Sequence, residues 1–167
     1  LDRSHRVVLA TTGYTASQGP NVIFADEDLE AAGVRVGHVG FPDTPDNVFR
    51  RAPLGVDGLG SFAAVAAQRF LGRPIDGTGT DRSVLIDYSG GPGTIRTLSY
   101  ADVVAGRIPP AAVRGKVVVV GTTRPALGDT FATSRRAVTG AALGVEEVSR
   151  VLLVGGSSRI PLVAQLV

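Results

Sequence analysis

Apolar residues along this chain come in short bursts separated by turn-forming clusters, and the bursts switch between two periods. Residues 5–12 (HRVVLATT) are a compact β-branched run, which predicts a buried strand. A loop over 13–21 follows. Residues 26–32 (DEDLEAA) then place acids in the first turn of a short helix, with Gly33 as its stop. Residues 34–41 (VRVGHVGF) alternate apolar and polar, the signature of a half-exposed strand, and PDTPDN over 42–47 is a turn cluster. Residues 48–54 (VFRRAPL) predict another strand, with Pro53 at its end, and Asp57-Gly58 a turn. Ser61 then caps an Ala-rich helix, SFAAVAAQRFLG, that stops at Gly72.

The second half repeats the alternation. A flexible loop is expected over 73–81, a strand over 83–88 (SVLIDY) and a Gly-rich loop over 89–94 (SGGPGT). Ser99 caps a helix, SYADVVAG, that ends at Gly106, and Pro109-Pro110 starts a short helical turn. Residues 117–120 (VVVV) are continuously apolar, which predicts a central strand buried on both faces. After a linker or crossover over 135–144, a helix is expected over 145–149 and a strand over 151–154. Strands alternating with helices imply an α/β fold: a layered sandwich with a mixed, mainly parallel central sheet flanked by helices.

Composition narrows the function. The 167 residues suffice for one full core, and 44% hydrophobic against 19% charged residues describes a folded chain. Aromatics are only 5%, so the core is built from Val, Leu, Ile and Ala. A formal charge of +2, basic runs of no more than two residues (Arg50-Arg51 and Arg135-Arg136) and few aromatics argue against nucleic-acid binding. Cysteine is absent, which excludes disulfides, thiolate chemistry and cysteine zinc sites. His5 and His38 are the only histidines, and they form no HExxH pair, so no catalytic metal site is expected. Methionine is also absent and Leu1 opens the chain, so a piece of a longer protein is expected. No apolar run approaches the ~18 residues of a spanning helix.

Two places offer polar chemistry. The PDTPDNVFRR turn brings Asp43, Asp46, Arg50 and Arg51 close in sequence. One reading is a solvated hairpin in which Asp46 and Asn47 supply turn bonds. The other has Asp46 and Arg50 lining a polar ligand pocket. The loop over 121–130 leaves the end of the predicted central strand, where open α/β sheets often bind ligands. Thr122 and Asp129 are its candidate ligand contacts, although Asp129 alternatively caps the loop. SGGPGT lacks the GK[ST] ending of a phosphate loop and reads as a tight turn. No Ser-His-Asp order stands out, so no catalytic residue is expected and the chain is read as no enzyme.

The segments VRVGHVGFPDTPDNVFRRAPL, SFAAVAAQRFLG and LIDYSGGPGTIRTLSYADVVAGRIPPAAVRGKVVVVGTTRPALGDTFAT together resemble the type-two CHASE domain, a sensory extracellular domain associated with cyclases and histidine kinases. The resemblance covers roughly residues 5–140. Its most specific part is the ordered AGRIPP turn, RGKVVVVG strand and LGD loop. The family's additional opening strand-helix unit is missing here. The resemblance implies an extracytoplasmic sensor in a membrane-anchored bacterial signalling protein, such as a nucleotide cyclase, histidine kinase or serine/threonine kinase. It implies no cofactor, an unidentified small ligand or protein signal, and membrane attachment through flanking helices outside this chain. It leaves a homodimer open.

Residues 149–167 (SRVLLVGGSSRIPLVAQLV) resemble something else, the adenosine-binding segment of DnaK-like heat-shock chaperones. That resemblance implies backbone approach to a nucleoside at Gly155 and Gly156, an adenine hydrogen bond from Ser157 and stacking by Arg159, with ATP or ADP and magnesium as cofactor. The phosphate-binding loops of such an ATPase are absent, so the tail alone cannot hydrolyse ATP. The expected division is a sensor domain over 1–140 and a strand-helix tail over 141–167. Two alternatives stay open: part of a cytoplasmic chaperone-like ATP-binding protein, or a tail that adds a strand and helix to the sensor sheet.

Overall fold

The computed structural model describes residues 6–15, 17, 19–22, 26–88, 94–121 and 132–133. Its first unit is a β-α-β crossover. Strand β1 (Val8–Thr11) leads through the short pair β2 (Tyr14–Thr15) and β3 (Gly19–Pro20) to helix α1 (Asp26–Ala31). The chain returns as β4 (Arg35–His38), parallel to β1, with Val8 opposite Arg35 and Thr11 opposite His38. Gly33 takes a left-handed φ of 66°, which ends α1 where the sequence places its stop.

Strand alternation makes β1 and β4 the middle of a three-layer arrangement. Val7 and Leu9 of one face, with Val36, pack on Leu29, Ala32 and Val34 around α1. Val8, on the opposite face, joins a second cluster of Ala52, Ala63, Ala66, Ile86 and Tyr88. That cluster sits under α2 (Phe62–Leu71), which packs on both β1 and β4. Its buried residues are Ala63, Ala64, Val65, Ala66 and Ala67, and such small side chains let the helix axis approach the strands. Gly37 on β4 completes the fit, because a Cβ there would fall on the Phe62 backbone. The Ser61 Oγ accepts a hydrogen bond from Ala64 N at 3.3 Å, and Gly72 closes the helix at φ 65°.

Four short strands connect these layers. β5 (Val48–Phe49) is followed by β6 (Arg51–Pro53), and β7 (Gly55–Val56) pairs with β8 (Leu59–Gly60) across the Asp57-Gly58 turn. Both turn residues have positive φ, 51° and 94°, as a tight hairpin turn requires. β9 (Ser83–Leu85) runs antiparallel to β6. Further on lie α3 (Tyr100–Val104), a 3-10 turn over Pro110–Ala112, and β10 (Ala132–Thr133), which pairs in parallel with β5. α3 starts after Ser99, but the expected cap is corrected: the Ser99 side chain makes no capping bond.

Three further expectations are corrected. The described strands form five two-stranded pairs, two parallel and three antiparallel, rather than one mainly parallel central sheet. The strand expected over 48–54 changes partner midway: β5 takes β10, while β6 takes β9. Residues 117–120 are no strand among the described residues. Val117 packs on the α2-side cluster, but Val118 and Val120 are 56% and 75% exposed. A continuous apolar run shows that neither face is polar; it does not supply the layer that would cover the second face. The linker expected over 135–144 and the elements expected over 145–149 and 151–154 lie outside the described residues.

Candidate functional site

The C-terminal turn of α2 and the strand beneath it build a basic cleft. Arg69 lies in the last turn of α2, and Arg73 follows the left-handed Gly72 that ends it. Arg35 opens β4, on the strand face opposite to Val34 and Val36 and thus on the side of α2. The β7–β8 hairpin and the turn through Thr78 and Gly79 form the facing wall. Together they border an open cleft of about 450 Å³. Among the described residues the lining holds three arginines and no carboxylate, with Leu59, Val65 and Pro74 as apolar surface.

The polar groups of the cleft differ in how well they are served. Gln68 Nε2 donates to Thr78 Oγ1 at 3.1 Å, and that hydroxyl donates to the Ile75 carbonyl at 2.8 Å, which ties the wall to the helix. Arg69 Nη2 donates to the Gly33 carbonyl at 2.8 Å and so joins the end of α1 to the end of α2. Arg69 Nε, in contrast, is shut off from solvent and has no hydrogen-bond partner. Burial lowers the pKa of the Arg69 guanidinium, and the nearby charge of Arg35 lowers it further. Among the described residues the ion pairs are Arg50–Asp46, Arg82–Asp76 and Arg107–Asp102, so none of the three cleft arginines is neutralised by one.

Asp46 and Arg50 come together with each other. Arg50 Nη2 lies 2.7 Å from Asp46 Oδ2, and Asp46 Oδ1 accepts from Val48 N at 3.1 Å. The guanidinium hydrogen bond holds the Asp46 carboxyl below its ordinary range. Both side chains are about half exposed, at 47% and 50%, and neither lines the basic cleft. The geometry is that of a solvated turn held by its own side chains. Thr122, Asp129, Gly155, Gly156, Ser157 and Arg159 lie outside the described residues. His38 Nδ1 accepts from Gly40 N at 3.1 Å and so shapes the end of β4. No group of His, Asp and Glu suited to a metal ion occurs among the described residues.

Sequence reasoning passed over Arg35, Arg69 and Arg73. Two arginines at a helix C-terminus are what the helix dipole favours, so they carry no distinctive signal alone. What sets them apart is the arrival of Arg35 from a strand 34 positions earlier than Arg69, and that requires the fold.

No curated protein and no solved structure matches the chain. The chaperone resemblance of residues 149–167 therefore gains no support from either. The family model that does match runs through most of that tail as well as the rest of the chain. It is the CHASE2 domain, matched over residues 3–164, and the chain belongs to that family.

Proposed function

We propose that this chain is the extracytoplasmic sensory module of a membrane-anchored bacterial signalling protein whose effector is a nucleotide cyclase, a histidine kinase or a serine/threonine kinase. CHASE2 domains are sensory and non-catalytic, and they are typically extracytoplasmic; the family match over residues 3–164 carries the reading. No helix among the described residues is long and apolar enough to cross a membrane, so attachment is assigned to flanking segments. A signal would act by binding one of two arrangements of the domain more tightly, and its effect is bounded by that difference in affinity. Asp46, Arg50, Thr122 and Asp129 are candidate contacts for the signal.

The absence of cysteine makes the topology directly testable. In the membrane-anchored protein, Ala111→Cys puts a unique thiol of this domain on an exposed turn. A membrane-impermeant maleimide is expected to label it in intact cells. Labelling that appears only after permeabilisation would place the domain in the cytoplasm and overturn the reading.

A further inference from the structure

We infer that the cleft between β4, the β7–β8 hairpin and the end of α2 binds a small organic acid, with its carboxylate between Arg35 and Arg69 and its apolar body along Leu59, Val65 and Pro74. This deepens the sensory reading and rests on it only in calling the bound acid a signal. Binding itself depends on the cleft alone.

The argument starts from charge. Three arginines line about 450 Å³, and among the described residues the lining has no carboxylate and none of the three is ion-paired. A structural role accounts for part of Arg69, whose Nη2 bonds the Gly33 carbonyl. It does not account for bringing Arg35 to the same cleft, where its charge adds to the lowering of the Arg69 pKa. An oxyanion answers this. It converts cation repulsion into attraction on two sides.

The remaining lining selects the kind of anion. Leu59, Val65 and Pro74 offer apolar contact that a bare inorganic ion would not use. Gln68 is already bonded to Thr78, so its amide is held in place beside the cleft. The preferred ligand is therefore an anion with a short hydrocarbon body.

Hexanoate, its neutral analogue hexanamide and inorganic phosphate are suitable probes, titrated into the purified chain at low ionic strength. Heat and the arginine Nε–H resonances are followed together. Hexanoate is expected to bind saturably, with Kd on the order of 0.1–1 mM, and to move the Arg69 Nε–H signal. Arg35→Gln and Arg69→Gln are each expected to weaken it roughly tenfold or more, while Arg107→Gln, remote in its own ion pair with Asp102, leaves it unchanged. Arg35 is exposed and bonds no described residue through its side chain, so Arg35→Gln decides the matter even where Arg69→Gln disturbs the fold. No saturable binding by ~10 mM, equal binding of hexanamide, or indifference to Arg35→Gln would overturn the site. Phosphate binding as tightly as hexanoate would overturn the organic-acid assignment. None of these results depends on topology, so failure here and failure of thiol labelling in intact cells remain distinct.

Discussion

Tyr88 offers the sharpest energetic prediction, because it is an ionisable group inside the larger core cluster. Its side chain is 4% exposed, and its hydroxyl donates to the Phe49 carbonyl at 2.8 Å. Burial raises the phenol pKa well above its ordinary value of 10.0. At pH 7 the Tyr88→Phe variant loses one neutral buried hydrogen bond, a net cost of about 1 kcal/mol. For a chain of this size that corresponds to roughly 2–4 °C in Tm. Alkaline pH changes the comparison. The folded state holds the Tyr88 proton more tightly than the unfolded chain does. That advantage is fully present below the unfolded pKa and is lost as pH rises above it toward the folded value. At pH 11 the unfolded phenol is about nine-tenths ionised, so the wild-type chain has lost about 1.4 kcal/mol through Tyr88. The Phe variant has nothing to lose there. Other alkaline titrations are few, with one lysine, three tyrosines and no cysteine in the chain, and all except Tyr88 are common to both proteins. The stability gap is therefore expected to shrink from about 1 kcal/mol at pH 7 to zero or a slight reversal at pH 11. Urea denaturation followed by far-ultraviolet circular dichroism at the two pH values measures it. A gap that stays constant would refute the buried, protonated Tyr88.

Two further perturbations probe how α2 is seated. Gly37→Ala places a methyl group on the Phe62 backbone, which cannot rotate away, so the helix start must move off β4; a loss of about 1–3 kcal/mol is expected. Unchanged thermal stability in that variant would mean that β4 and α2 are less closely apposed. Ser61→Ala removes the α2 cap, but at 3.3 Å that hydrogen bond is long, so a cost near the lower end of the usual range is expected, about 0.5–1 kcal/mol in denaturant titration.

Much of the local structure was legible in the residues themselves. DEDLEAAG encodes a helix with acids at its start and a glycine stop, and α1 follows it. Ser61 and Gly72 bracket α2, and Asp57-Gly58 turns the β7–β8 hairpin. These features depend on backbone preferences and capping bonds among near neighbours, which a short window of sequence contains. The family, too, was readable, because its turn, strand and loop signatures follow in order along the chain.

Partnership was not legible in the same way. The residues 48–54 read as one strand, yet neighbouring parts of it pair with β10 and β9, and nothing in VFRRAPL says where the partner changes. The run at 117–120 has the composition of a central strand, but whether both faces are covered depends on elements far away in sequence. The candidate site shows the same divide. Asp46 and Arg50, four residues apart, found each other in a local ion pair, as proximity in sequence allows. The cleft arginines come from a strand and from the end of a helix, and their shared charge exists only because α2 packs across β4. Sequence by itself determined the short-range elements, the character of the core and the family, since caps, turns and periodicity act over a few residues. Tertiary structure alone decided which strands pair, which apolar face stays open and where arginines from distant segments gather. Those outcomes follow from long-range packing, in which each surface is defined by what is folded against it.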